Sequence, residues 1–191
     1  KLGNVERNVD VLPLGADVIS LQEKNYISKI KLLYVGTLTA RDIDKTLFGL
    51  RKFLDINKNI SISYDIVGDG NANELDELKV LSSKLNLTEY VTFHGRLPYN
   101  KLTPFFDDCN VGIAFVPKTD YFMFQPPTKT FEYILSGLCT IATSTFSNAE
   151  IITGSVKITD EISIIFTVLS GYSSIILSPI CLVTRLIVSS A

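Results

Sequence analysis

The feature that most constrains the fold of this chain is a repeated alternation of strand-like and helix-like segments. Residues 30–35 form a short apolar run, whereas apolar residues recur at helical spacing between Ile43 and Leu54. The same alternation continues along the chain and predicts six strands and five helices. The strands are predicted at 30–35, 60–66, 91–93, 111–116, 140–143 and 156–158, and the helices at 43–54, 75–85, 102–106, 128–136 and from Asp160 onward.

Strands that alternate with helices are typical of βαβ units, whose right-handed crossovers give a parallel sheet with helices on both faces. Hydrophobic residues make up 46% of the sequence, which is enough for a sizeable core. We therefore predict an α/β fold with a doubly wound, Rossmann-like parallel sheet. Ligands of such sheets bind outside the carboxyl ends of the strands. The candidate site residues are therefore those that follow each strand.

The charge of the chain argues against a nucleic-acid-binding protein, and the spacing of its cysteines argues against a zinc site or a disulfide framework. The net charge is -2 with acidic and basic residues interspersed, whereas a nucleic-acid-binding protein needs a basic stripe that neutralises phosphates. Cys109, Cys139 and Cys181 have no spacing that suits a zinc site or a disulfide framework, so we predict three free thiols in a reducing compartment. No basic segment followed by an apolar run opens the sequence, so we expect a cytoplasmic protein without a secretory signal.

Three loops after predicted strands carry glycine, arginine or histidine. Gly36 would let the backbone approach a ligand, and Arg41, predicted at the start of the first helix, either clamps a diphosphate or is a solvated surface arginine. Gly68 lies in a Gly-Asp-Gly turn that leaves room for a ligand, although such turns are common without one. His94 is the only histidine; because no carboxylate lies nearby in the sequence, we favour a positional role over general-base catalysis.

The segment 124–137 is the most informative of these loops. Two prolines fix the entry into a helix, whose first free N–H groups, at 128–130, would point into the crevice together with Lys129. Glu132 lies about one turn further along the same helix face. Its carboxylate either accepts hydrogen bonds from the hydroxyls of a ribose or only complements the helix dipole. The residues themselves leave both interpretations open.

In the loops described above and in the segment 124–137, the sequence resembles the C-terminal, donor-binding domain of family-4 glycosyltransferases, which is one half of a GT-B fold. The resemblance covers roughly residues 11–169 and is weakest after Glu150. It rests on stretches that follow one another in the family's order. They are VLPLGAD at 11–17, LYVGTL at 33–38, IVGDG at 66–70, VTFHG at 91–95, and PTK, FEY, SG and IAT between 127 and 143.

The resemblance implies an enzyme that transfers a sugar from a nucleotide-diphosphate sugar to a glycan or lipid-linked acceptor, with retention of anomeric configuration. The nucleotide sugar is the donor substrate, and neither a cofactor nor a bound metal is implied. Arg41 and Lys129 are implied as catalytic residues that stabilise the leaving diphosphate, and Glu132 as the residue that holds the ribose. The remaining implied donor contacts are Gly36, Thr37, Gly68, His94 and Thr128.

Two positions depart from the family's pattern. Phe124 stands where many members carry a glutamate that contacts the donor sugar, and Thr37 stands where the first loop often has an arginine. Two alternatives therefore stay open. One is a sugar-nucleotide-binding subunit without catalysis, and the other is a sugar-nucleotide epimerase with the same two-domain architecture.

We divide the chain into a linker segment at 1–28, a nucleotide-sugar-binding Rossmann-like domain at 29–172 and an apolar tail at 173–191. Most of the acceptor site is expected in an N-terminal domain that is missing here. Residues 162–188 are strongly apolar, but a glycine, a proline and five serines interrupt them. We therefore expect a final helix and a tail that docks on a partner or peripherally at the inner face of a membrane, rather than a transmembrane helix.

Overall fold

The computed structural model of the chain describes residues 14–26, 29–125, 127–154 and 175–177. Its strands are β1 Ile30–Val35, β2 Ile62–Val67, β3 Val91–Gly95, β4 Val111–Ala114, β5 Cys139–Thr143 and β6 Ile175–Leu177. They form one six-stranded sheet in the order β3-β2-β1-β4-β5-β6. The first five strands are parallel, and β6 pairs with β5 in the antiparallel direction.

Helices cover both faces of this sheet. Within the described residues they are α1 Asp44–Ile56, α2 Glu74–Lys84, α3 Thr103–Asp108, α4 Asp120–Met123, α5 Thr128–Leu135 and α6 Phe146–Gly154, with a 3-10 turn at Tyr99–Lys101. One core lies between the sheet and α1 and α2, where Leu47 and Ile66 are fully buried. The other lies beneath α3, α5 and α6, where Phe106 and Ile152 are fully buried. The predicted α/β, Rossmann-like architecture is confirmed.

Local differences from the predicted elements have local causes. The short helix α4 was not predicted, because four residues are too few to show a period; the Thr119 side chain caps it by accepting from the Phe122 N–H at 3.3 Å. Asn73 precedes α2 as predicted, but its side chain makes no capping hydrogen bond. The strand predicted at 156–158 and the helix predicted from Asp160 lie outside the described residues.

The strand β6 adds an antiparallel edge to the predicted parallel sheet. Ile175 pairs with Thr143, the last residue of β5, and Leu177 pairs with Ile141. The chain therefore enters β6 at the carboxyl end of β5 and runs back along it. Nothing in the sequence indicated this pairing, because three consecutive apolar residues are too few to show a period. No helix in the part of the chain that the structure describes is long and apolar enough to cross a membrane.

The cysteines differ in state. Cys109 is a free, buried thiol, whereas Cys139 is disulfide-bonded. The prediction of three free thiols is therefore wrong for Cys139.

The Cys109 thiol is expected to resist alkylation in the folded chain. Burial raises the pKa of this thiol from 9.0 to about 12, and the charges of Asp65 and Asp108 add to the effect. Because the thiolate is the reactive form, its alkylation at mildly alkaline pH should be on the order of a hundredfold slower than in the urea-unfolded chain. Mass spectrometry of iodoacetamide-treated peptides measures both rates. Equal rates would contradict the burial of Cys109 against β1 and β2, where its sulfur lies 3.8 Å from the Leu32 carbonyl oxygen and from Asp65 Oδ2.

Candidate functional site

β1 and β4 separate at their carboxyl ends and open a crevice. Their pairing stops at Leu33 and Gly112, whereas β1 stays paired with β2 as far as Val35. The strand order reverses here, since β1 lies between β2 and β4. Such switch points are where open α/β sheets bind ligands. A cavity of about 290 Å³ lies at this point.

The cavity collects residues from two of the predicted loops. Gly36, Thr37 and Arg41 line it from the loop after β1, and Thr128 and Lys129 line it from the start of α5. Phe122 and Gln125 also line it. The sequence pointed to Phe122 and Gln125 only because both lie in the loop after the fourth predicted strand. Three predicted donor contacts, Gly68, His94 and Glu132, are not among its described lining residues.

Gly68 acts on the cavity through the loop after β1. The Gly36 N–H donates to the Val67 carbonyl at 3.0 Å, and the Leu38 N–H donates to the Asp69 carbonyl at 2.8 Å. A Cβ on Gly68 would lie 3.0 Å from the Gly36 carbonyl carbon and closer still to its oxygen. The absence of a side chain at Gly68 therefore lets the loops after β1 and β2 approach each other.

Arg41 reaches the cavity from a turn that precedes α1. The sequence placed it at the start of the first helix, but that helix begins at Asp44. Ala40 and Asp42 have positive φ values of 56° and 52°, and this backbone conformation delays the helix. The Arg41 guanidinium lies 4.3 Å from the centroid of the Phe122 ring. A cation–π contact therefore holds its charge against a wall of the cavity.

The first turn of α5 carries the second cation. Thr128 is its first residue, after Pro127, so the N–H groups of Thr128 and Lys129 have no helical partner. The Thr130 N–H, predicted to be free, instead donates to the Pro127 carbonyl at 3.1 Å. The Lys129 ammonium forms an ion pair with the Glu132 carboxylate, which confirms that the two side chains share a helix face. The Glu132 side chain is only 9% exposed and that of Lys129 is 23% exposed, so solvent screens this pair weakly. Glu132 thus contacts Lys129, which lines the cavity, although Glu132 is not among the described lining residues.

His94 lies on β3, beneath α3. Its Nε2 is 2.6 Å from Oδ1 of Asp65, and its ring meets that of Phe105 edge-on at 4.6 Å between centroids. The sequence showed no carboxylate near this histidine, because Asp65 is 29 residues away and reaches it only through the pairing of β2 with β3. The imidazole is therefore engaged by Asp65, away from the described lining of the cavity.

Phe124 occupies an exposed position after α4. Its side chain is 71% exposed, and its ring centroid lies 5.5 Å from that of Phe146, which is 58% exposed. Phe146 opens α6 and was not singled out from the sequence. A solvent-facing phenyl ring, that of Phe124, therefore stands where many family members carry a carboxylate, and a second ring packs against it.

The charges around the cavity favour an anion. Its described lining includes two cations, Arg41 and Lys129, and no acidic residue. Free N–H groups at a helix start attract negative charge in the same way. Among the described residues, no group of three or more histidine, cysteine, aspartate or glutamate side chains could hold a metal ion. The arrangement is suited to a compact polyanion such as a diphosphate.

Comparison with known families points to one of them. The family model described as "Glycosyl transferases group 1" matches residues 29–164, which include every element that lines the cavity. No curated protein sequence matches the chain.

Solved structures share the fold at low sequence identity. The lipopolysaccharide outer core galactosyltransferase WaaB matches 73% of this chain, with a TM-score of 0.56 and 16% identity. TarM of S. aureus, solved with UDP, matches 83% with a TM-score of 0.59 and 11% identity. The C-terminal domain of LpcC from Francisella tularensis matches 65% with a TM-score of 0.52 and 16% identity. The chain spans only 37%, 30% and 63% of those three chains, respectively.

Proposed function

Since the chain belongs to the family of group 1 glycosyl transferases, we propose that its domain binds a nucleotide-diphosphate sugar as the donor in a sugar transfer. The observation that carries this proposal is the cavity between β1 and β4, where Gly36, Arg41, Thr128 and Lys129 converge. Two cations and the start of a helix suit the two phosphates of such a donor. TarM and the pneumococcal O-GlcNAc transferase GtfA, which share this fold, were both solved with UDP, and this supports a nucleoside diphosphate as the ligand.

The proposed chemistry uses the two cations in the transition state. The bond from the anomeric carbon to the diphosphate oxygen breaks, a bond from that carbon to an acceptor hydroxyl oxygen forms, and the hydroxyl proton passes to the leaving diphosphate. Negative charge grows on the leaving diphosphate, where Arg41, Lys129 and the first N–H groups of α5 would stabilise it. Glu132 would accept hydrogen bonds from the ribose hydroxyls. Retention of anomeric configuration is proposed from the resemblance to family-4 glycosyltransferases.

The acceptor is proposed to be a glycan or a lipid-linked saccharide, bound mainly by an N-terminal domain. The chain spans about a third of WaaB and TarM, so a whole protein of that kind has room for a second domain. WaaB is named for the lipopolysaccharide outer core, which supports an acceptor of the glycolipid class. With such an acceptor we propose a cytoplasmic protein that works in polysaccharide biosynthesis and contacts the inner face of the membrane peripherally.

Glu132→Ala is expected to weaken the binding of a nucleoside diphosphate by at least about tenfold, or about 1.4 kcal/mol. The substitution removes the proposed ribose contact, so the affinity for the nucleoside without phosphates should fall as well. If Glu132 only neutralised Lys129, its loss would free the ammonium for the phosphates, and the affinity for the nucleoside diphosphate would rise. Isothermal titration calorimetry with nucleoside and nucleoside diphosphate separates these outcomes.

Two further variants control this test. Glu132→Gln keeps a hydrogen-bond acceptor of the same size and should retain part of the affinity for the nucleoside. Glu77→Ala removes a carboxylate from the exposed face of α2, outside the cavity lining, and should change neither affinity. Undiminished binding by Glu132→Ala would count against the ribose contact.

A second candidate function is a sugar-nucleotide-binding subunit without catalysis. The exposed phenyl ring of Phe124 favours it, since an uncharged ring replaces a carboxylate that contacts the donor sugar in many family members. Donor hydrolysis or sugar transfer by the full-length protein would eliminate this candidate. Analysis of the recovered donor for a changed sugar configuration would detect an epimerase instead.

A further inference from the structure

The loop that contains Gly36 is held by two tyrosine hydroxyls from opposite faces of the sheet. Tyr133 of α5 accepts a hydrogen bond from the Val35 N–H at 2.8 Å. Tyr34 of β1 donates to the Thr37 carbonyl at 2.5 Å. Tyr34 belongs to the core beneath α1 and α2, and Tyr133 to the core on the other face. The backbone on both sides of Gly36 is therefore fixed by side chains.

The Tyr133 hydroxyl replaces a hydrogen bond that the sheet cannot make. Successive residues of a parallel strand direct their N–H groups to opposite neighbours. Gly36 donates to Val67 of β2, so the N–H of Val35 points towards β4. Pairing of β1 with β4 has already ended at Leu33. Tyr133 thus supplies the acceptor at the point where the crevice opens.

The Tyr133 ring is tightly packed by the surrounding core. The side chain is fully buried, and its ring stacks on Phe106 with centroids 5.5 Å apart and planes at 28°. Gly112 of β4 lies against the ring. A Cβ on Gly112 would lie 2.6 and 2.8 Å from the two Cδ atoms of Tyr133 and closer still to Cγ. The missing side chain at Gly112 therefore lets the hydroxyl reach β1.

We propose that Tyr133 is a positioning residue, which holds the loop at Gly36 in the conformation that receives the donor's phosphates. The inference rests on the proposed function, because it concerns the same nucleotide site. Tyr133 acts through the Val35 N–H and does not itself line the cavity. Without its hydroxyl, a buried N–H loses its acceptor and the loop is free to shift towards another partner.

Tyr133→Phe in the whole chain tests this inference. We expect the dissociation constant for a nucleoside diphosphate to rise about tenfold, because the loop faces the phosphates. The affinity for the nucleoside alone should stay within about twofold. Tyr64→Phe is the matched control. Tyr64 is equally buried, but its hydroxyl pairs with Thr46 Oγ1 at 3.2 Å in the other core, so both affinities should be unchanged.

The outcomes separate the inference from the function on which it rests. Failure of the unmodified chain to bind any nucleoside diphosphate would overturn the proposed function and, with it, this inference. Normal diphosphate affinity of Tyr133→Phe, or an equal loss of nucleoside and diphosphate affinity, would overturn the inference alone. Hydrogen exchange on the unmodified chain gives a second test that does not depend on the variant's folding. The Val35 amide should be protected although its N–H donates to the Tyr133 hydroxyl and not to a strand carbonyl, and rapid exchange there would overturn the inference.

Discussion

Gly68→Ala is expected to abolish nucleotide binding and to lower the free energy of unfolding by about 3 kcal/mol. The new methyl group would overlap the Gly36 carbonyl, which is backbone and cannot rotate away as a side chain could. Both glycines are fixed in place, since Gly36 donates to Val67 and Gly68 donates to the Gly95 carbonyl at 2.8 Å. The loops after β1 and β2 must therefore separate, and this moves the Gly36 wall of the cavity.

Urea denaturation and calorimetry measure both effects. Gly15→Ala is the matched control, because a Cβ on Gly15 would meet no atom within 4 Å. That variant should keep its stability to within about 0.5 kcal/mol and bind as the unmodified chain does. A Gly68→Ala chain with unchanged nucleotide affinity would show that the close approach of the two loops does not shape the site.

Removal of both cations is expected to weaken nucleoside diphosphate binding about a hundredfold, with about tenfold from each. Arg41→Gln and Lys129→Gln remove the charges but keep polar side chains of similar reach. Glutamine at 129 can still donate to Glu132, which limits the cost of leaving a shielded carboxylate without its partner. The nucleoside without phosphates should bind the double variant almost as tightly as it binds the unmodified chain.

Salt dependence gives the same test a second readout. Binding by the unmodified chain should weaken as ionic strength rises, and the double variant should lose most of that dependence. Lys79→Gln removes one charge from the exposed face of α2, where Lys79 pairs with Asp76, and should change neither quantity. A double variant that binds the diphosphate within about twofold of the unmodified chain would rule out the proposed phosphate contacts.

The sequence predicted the sheet well because its signal is local. Apolar runs and helical spacing mark each βαβ unit by itself, and the right-handed crossover then fixes the hand of each unit. The first five strands were predicted at nearly their observed positions. β6 was not, because three apolar residues are too few to show a period and their pairing depends on distant Thr143.

The candidate site was predicted where residues act through their position after a strand. Gly36, Thr37, Arg41, Thr128 and Lys129 were all singled out from their loops, and all five line one cavity. The rule that ligands bind at the carboxyl ends of strands pointed to these loops, and the binding roles of their residues stay a prediction.

The remaining contacts depend on side chains that meet across the fold. Asp65 reaches His94 only through the register of β2 and β3, and Tyr133 reaches Val35 only because Gly112 leaves space for its ring. A tyrosine on the apolar face of a helix predicts burial, but its hydroxyl partner cannot be read from the spacing.

The most direct test of the account is calorimetric titration of the unmodified 191-residue chain with UDP, GDP and ADP, each beside its nucleoside. The account predicts saturable binding of at least one nucleoside diphosphate at a single site, tighter than that of its nucleoside because Arg41, Lys129 and the start of α5 act on the phosphates. A chain that unfolds cooperatively on heating but binds none of the three, or binds nucleoside and diphosphate equally, would contradict the assignment of this cavity to a nucleotide-sugar donor.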